Sequence, residues 1–205
     1  MALDDFFSST YATARQKFLS AAAEAGLAVV THTHPLQGPS GETLALDLVT
    51  LCPDSTAPCR AAKVFVTMSG THGVEGFVGS AAQIAWLKKG MWKRAPQGVA
   101  VLLMHAVNPH GFAHLRRVTE DNVDLNRNFV DFTKPLPRKP AYDEMAAAIC
   151  PPQWTEDALK VAEDKLKSYA AQHGPRALNR VIMGGQYAHA DGVFYGGTKP
   201  TWSRE

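Results

Sequence analysis

The sequence predicts an α/β fold, with a mixed, mostly parallel central sheet flanked by helices. Three observations carry that expectation. A strand-like run, a helical run and a second strand-like run follow one another between Lys63 and His105, and such a crossover makes parallel neighbours. Ahead of it, an amphipathic segment precedes two strand-like runs joined by a turn-rich stretch, the pattern of a hairpin packed under a helix. Finally, 205 residues at 45% apolar and 20% charged can enclose a core without staples. The length suits a single domain over residues 1–205.

The first element is a helix. Phe7, Tyr11, Ala14, Phe18 and Ala22 recur at helical spacing on one face, and Gly26 stops them. Residues 27–33 and 43–51 read as strands around the Gly-, Pro- and Ser-rich turn at 37–41. Residues 63–68 are short, apolar and β-branched, which predicts a buried strand. A helix follows, with Val74, Val78, Ala81 and Ala85 on its inner face and Lys88, Lys89 and Gly90 at its end. Residues 99–105 form the next strand. Residues 108–140 read as a long polar loop, and loops of that length are commonly functional. Residues 141–150 form a short helix. Thr155 caps another, with Trp154 and Leu159 placed for a hydrophobic staple. That helix ends near Gly174, and a Gly-rich aromatic tail follows.

Charge and composition exclude several classes. Twenty-one basic residues against 19 acidic ones leave a net charge of +2, which argues against a nucleic-acid binder. Cys52, Cys59 and Cys150 form no C-x-x-C, so no disulfide framework or Cys-rich zinc module is indicated and a reducing compartment is the simpler reading. The start lacks a basic segment followed by an apolar run, and no stretch approaches a membrane span. The expectation is a cytoplasmic protein with neither a nucleic-acid nor a membrane partner.

Two strand ends carry unusual chemistry. After residues 63–68 comes Ser69-Gly70-Thr71-His72-Gly73-Val74-Glu75-Gly76. An imidazole and a carboxylate three residues apart can reach one ion, and zinc accepts both. Taken alone, the turn fits a buried, hydrogen-bonded histidine beside a helix-start glutamate equally well. After residues 99–105 come Asn108-Pro109-His110-Gly111, then Arg116-Arg117, then Asn122-Val123-Asp124-Leu125-Asn126-Arg127-Asn128-Phe129. Val123, Leu125 and Phe129 anchor this stretch, and an anchored arginine suits bidentate capture of a carboxylate.

H-x-x-E after one strand, N-P-x-G after the next, an arginine, and then N-V-D-L-N-R-N-F together resemble the zinc carboxypeptidase family. The similarity is greatest to a branch of that family catalogued as a domain of unknown function, and it extends to the tail at 188–203. Aspartoacylase and succinylglutamate desuccinylase share the shorter D-L-N-R. The resemblance implies a zinc cofactor, with His72 and Glu75 as ligands. It implies that Asn126 and Arg127 hold the substrate's terminal carboxylate. Arg116 or Arg117 would stabilise the oxyanion, with Arg117 preferred. Asp124 would support a ligand histidine.

The implied reaction is hydrolysis of a peptide or amide bond beside a free carboxylate, on a small peptide or an N-acyl amino acid. An aspartoacylase-like deacylase is the alternative. Two departures stand out. His110 replaces the acid of N-P-D-G, and the sequence ends at Glu205 ahead of the family's third zinc ligand and general base. The expected fold is therefore an incomplete version of the zinc carboxypeptidase one, and an inactive remnant is a further alternative. His105 is the best substitute ligand by position, although a core or ligand-supporting role suits it better. His189 comes next, and His32, His34, His110, His114 and His173 read as structural or surface residues. An incomplete sheet should also expose an edge, which predicts marginal stability or self-association through it.

Overall fold

A computed structural model describes residues 3–52 and 63–205. The chain gathers into two compact units that divide after Arg117, where the sequence reading has one domain.

The first unit is the sheet and its helices. Its elements are α1 (Tyr11–Glu24), β1 (Val29–Gln37), β2 (Thr43–Leu51), β3 (Lys63–Met68), α2 (Gly76–Lys88), β4 (Val99–His105) and the short α3 (Pro109–Ala113). The sheet order is β1-β2-β4-β3. β1 and β2 form the expected antiparallel hairpin, β2 and β4 are antiparallel, and β3 and β4 are parallel. The sheet is mixed as expected, but among the described residues one pairing of three is parallel rather than most of them.

α1 starts at Thr10, whose hydroxyl accepts from the Thr13 N–H. It buries Tyr11, Ala14, Phe18, Ala21 and Ala22, nearly the face its spacing predicts. Phe7 lies outside the helix and is exposed. Phe18 packs with Val49, Leu51, Val101, Leu103, Ile84 and other residues in the main core.

α2 departs from its expected face. Ala81, Ile84 and Leu87 are buried, whereas Val74 and Val78 are exposed. The helix is apolar nearly all round, so its pattern left the inner face ambiguous. β3 departs too: among the described residues it is an edge strand, and it is mostly exposed, not buried. A short apolar run reports composition and not its position in a sheet.

The core contains charged and polar groups. Asp47 is fully buried on β2. Arg15 donates to both its carboxylate oxygens, at 2.7 and 3.1 Å, and the Thr31 hydroxyl bonds one of them at 2.7 Å. This bond holds the Arg15 guanidinium above its ordinary pKa. His105 pairs with Asp47 across the β2–β4 ladder. Its ring stacks on Phe18 at 4.4 Å between centroids, and its Nε2 lies 2.9 Å from the Ser80 hydroxyl.

Burial lowers the His105 pKa from 6.5 to about 4, against a smaller opposing pull from Asp47. The neutral ring is therefore the folded form. As pH falls from about 6.5 towards 4 the unfolded chain takes up a proton that the folded chain refuses, so stability drops. The expected loss is on the order of 3 kcal/mol across that window. Urea unfolding of the wild type and of His105→Gln between pH 4 and 7 checks it. The curves should diverge as pH falls, and parallel curves would assign the acid sensitivity to other groups.

The second unit contains α4 (Pro140–Ile149), α5 (Glu156–His173) and α6 (Pro175–Met183). Met145, Ala148 and Ala162 form its helical core, with Leu166, Leu178 and Val181 against it. Thr155 caps α5 as expected. The staple does not form, because Trp154 is 84% exposed. α6 was not expected, since Gly174-Pro175 reads as a stop. Proline also suits the first turn of a new helix, and that is its position here.

Cys150 is a free thiol and Cys52 is disulfide-bonded, a single bridge and not a disulfide framework. Cys59 lies outside the described residues. No helix among the described residues is long and apolar enough to cross a membrane.

Candidate functional site

In the first unit, the ends of β3 and β4 stay hydrogen-bonded beyond the strands. The Val107 N–H donates to the Ser69 carbonyl, and the Asn108 N–H to the Gly70 carbonyl, each at 2.9 Å. Gly70 makes this approach with φ +68°, and a side chain there would meet the Ala106 backbone at 3.0 Å. Asn108 caps α3 by accepting from the Gly111 N–H. A left-handed Leu115 and a bond from the Arg116 N–H to the Gly111 carbonyl then turn the chain back.

That turn delivers Arg116 and Arg117 to the H-x-x-E segment, some 45 residues distant in sequence. The Gly73 N–H donates to the Arg116 carbonyl at 3.0 Å. A Cβ at residue 73 would lie 2.4 Å from the same oxygen, so the turn admits only glycine there. His72 is buried, and its Nδ1 lies 3.2 Å from the Arg117 carbonyl. A carbonyl only accepts, so Nδ1 carries the proton and the ring's lone pair is on Nε2. Glu75 immediately precedes α2 without a side-chain capping bond and is exposed, with its carboxylate 3.8 Å from the Arg117 guanidinium. Three of the predicted residues, His72, Glu75 and Arg117, are thus brought together.

The donor set can be tested against zinc. A metal-binding histidine characteristically donates its other ring N–H to a carbonyl or carboxylate, and His72 is held in that way. A carboxylate follows one helical turn later. These two fit. A catalytic zinc uses three protein ligands, and no group of three His, Cys, Asp or Glu side chains among the described residues is arranged to hold a metal ion. His105 packs against Phe18 with its Nε2 on Ser80 and its Nδ1 buried without a hydrogen-bond partner, and it belongs to no such group.

The second unit contains the other predicted residues. Asp124 is buried and starts a short 3₁₀ turn, Leu125–Arg127, by accepting from the Asn126 N–H at 2.9 Å. Asn126 is exposed. The Arg127 guanidinium donates to the Met183 carbonyl at 2.7 Å and lies 5.6 Å from the centre of the Phe194 ring. Its Nε is buried without a hydrogen-bond partner.

Sequence reasoning passed over Asn128, which organises this region. Its amide donates to the Gly196 and Lys199 carbonyls at 2.8 and 3.0 Å and accepts from the Thr201 N–H at 3.0 Å. Arg204 donates to the Asn128 carbonyl and lies over Phe129 and Phe132. Gln186 folds the tail back by accepting from the Ala188 and His189 N–H groups. His189 pairs with Asp143 at 2.9 Å. The signal for Asn128 was present in the last Asn of N-V-D-L-N-R-N-F, between two apolar residues.

The site gathers a buried histidine, an exposed carboxylate and a guanidinium at the strand ends of a mixed α/β sheet. Residues 7–205 match a family described as "Protein of unknown function (DUF2817)", and the chain belongs to that family. Comparison with curated proteins finds no match. Among solved structures, the chain is similar to carboxypeptidase A from Helicoverpa armigera. The identity is 18% and the TM-score 0.45, over 63% of this chain and 35% of that one. It is also similar to a Zn-dependent exopeptidase from Parabacteroides distasonis, at 11% identity and TM-score 0.33, over 96% and 71% of the two chains. A third likeness is to a glutaminyl cyclase from Tannerella forsythia, at 12% identity and TM-score 0.34, over 65% and 52%. The chain thus spans about a third of that carboxypeptidase and about half of that cyclase.

Proposed function

We propose that this chain contributes to a zinc-dependent hydrolase that cleaves a peptide or amide bond beside a free carboxylate. The observation that carries the reading is the tie between the Arg117 carbonyl and His72 Nδ1, with the Arg117 side chain reaching Glu75. His72 Nε2 and the Glu75 carboxylate would hold the metal. Bound zinc would polarise the scissile carbonyl and acidify a water molecule.

The chain's own residues do the rest. Arg117 lends its guanidinium to the oxygen that gains charge. The Arg117 carbonyl keeps His72 in one tautomer, so that the lone pair remains on Nε2 during turnover. Asn126 and Arg127 hold the substrate's carboxylate, and Asp124 keeps their turn in shape. Arg127 reaches its ligand by exchanging the Met183 carbonyl for the carboxylate, a stronger acceptor.

Metal content of the purified protein tests this. Near-stoichiometric zinc is expected, with a loss of affinity of at least 100-fold in Glu75→Ala and in His72→Ala. On an N-blocked dipeptide, Arg117→Ala should lower kcat by about 10²–10³-fold. Arg127→Ala should act chiefly on KM. A protein that binds no zinc and leaves both peptide and N-acyl amino acid substrates intact would be the non-catalytic remnant, and the proposal would fall. Preference for an N-acyl amino acid over the dipeptide would make it a deacylase.

A further inference from the structure

An arginine grips a carboxylate through two parallel N–H groups, and the Nε and Nη2 donors along one edge of the guanidinium form such a fork. At Arg127 that edge is half used. Nη2 donates to the Met183 carbonyl at 2.7 Å, while Nη1 donates to the Asn126 carbonyl at 3.3 Å. Nε is buried and has no hydrogen-bond partner. A carbonyl brings one oxygen where a carboxylate brings two, so it fills one leg of the fork and leaves the other donor desolvated. Met183 is the last residue of α6. Its carbonyl is one that no N–H of the helix reaches, and the aligned peptides give it partial negative charge. It is thus a neutral, single-oxygen counterpart of a carboxylate.

The helix that delivers this oxygen is lightly held. α6 buries none of its residues, and Leu178 and Val181 pack half-buried against the core of α4 and α5. Glycines bound it on both sides. Gly174 precedes it with φ +88°, and Gly184 and Gly185 follow it, the latter with φ +80°. A Cβ at residue 185 would lie 2.4 Å from Arg127 Cδ, so only glycine lets the chain rest on the arginine stem there. Element-terminal glycines of this kind can absorb a hinge rotation.

We propose that α6 gates the carboxylate site. Its last turn closes on Arg127 when no ligand is bound, and a carboxylate opens it by taking Nε and Nη2 together. The closed fraction lowers the apparent affinity of the ligand in proportion. All of these groups belong to the second unit. The inference rests on the reading of Arg127 as the carboxylate residue and adds the element that moves. An arginine that merely capped α6 would leave the helix end in place when ligand binds.

Amide exchange of the whole chain, with and without saturating butyrate, tests it. Butyrate has a carboxylate and no amide to cleave, and neutral butyramide is the control. Butyrate should speed exchange of the amides of residues 181–184 by at least about 5-fold, and butyramide should not, whereas binding to a fixed site slows exchange or leaves it unchanged. A Leu178→Ala, Val181→Ala double variant loosens the helix and should bind butyrate about 3–10-fold more tightly by NMR titration. Protection of the α4 and α5 amides verifies its fold, and the wild-type exchange decides if that protection is lost. Arg127→Lys keeps the charge without the fork and should weaken binding by at least about 10-fold. Slowed or unchanged exchange at residues 181–184, with butyrate binding lost in Arg127→Lys, would overturn the gate and leave the carboxylate reading standing. Absence of butyrate binding, or binding indifferent to Arg127→Lys, would overturn both.

Discussion

Asp47→Ala should be the most damaging single substitution in the sheet, lowering the free energy of unfolding by about 3–5 kcal/mol. Asp47 is fully buried, and both its oxygens are engaged by Arg15, with Thr31 as a further donor. Removing the carboxylate leaves a guanidinium, itself mostly buried, without its counter-charge. The cost is that of the orphaned partner and not the net contribution of the ion pair, which burial largely cancels. An Arg15→Met, Asp47→Leu double variant should therefore recover much of the loss. Urea unfolding with a full double-mutant cycle measures it. A single-variant loss below about 1 kcal/mol would mean that water reaches Asp47 in solution.

Asn128→Ala should cost about 3–5 kcal/mol in the second unit, since one buried amide satisfies two carbonyls and one N–H. Asn128 is fully buried, so three backbone groups lose their partners together. Asn128→Asp separates geometry from chemistry. Aspartate keeps the acceptor for the Thr201 N–H but turns a charged oxygen towards the Gly196 and Lys199 carbonyls, and it should be at least as harmful as alanine. Hydrogen exchange of the Gly196–Thr201 amides gives the readout. Protection there should collapse in both variants while α4 and α5 remain protected. Unchanged protection would show that Arg204 and its two aromatic partners hold the tail unaided.

The sequence made the strands legible because their boundaries coincide with chemistry: β2, β3 and β4 each begin and end where the apolar run does. It could not assign β3 to the edge. A central and an outer strand differ in neighbours and not in composition, and exposure of Val64 or Phe65 depends on what lies alongside. The inner face of α2 was obscured in a similar way, because small and apolar residues surround the helix. α6 was missed because Gly-Pro signals both an ending and a beginning.

At the candidate site, the motif positions were legible and the couplings were not. His72 and Glu75 stand out by spacing. The Arg116 and Arg117 pairings run through backbone carbonyls, which every residue carries and no pattern reveals. In N-V-D-L-N-R-N-F the residues that looked chemical are mixed with residues that are structural. Asp124 and Asn128 bond the backbone, and that architectural work accounts for much of the motif's length.

The histidine at position 72 is held at its Nδ1 by a peptide oxygen. Replacing Arg117 with any other residue leaves that oxygen in the chain, so the orientation of the imidazole is insulated from point mutation at its own partner. Adjusting it requires moving the main chain, by lengthening or shortening the loop after α3, and variation in that loop's length is where tuned relatives of this protein should be sought.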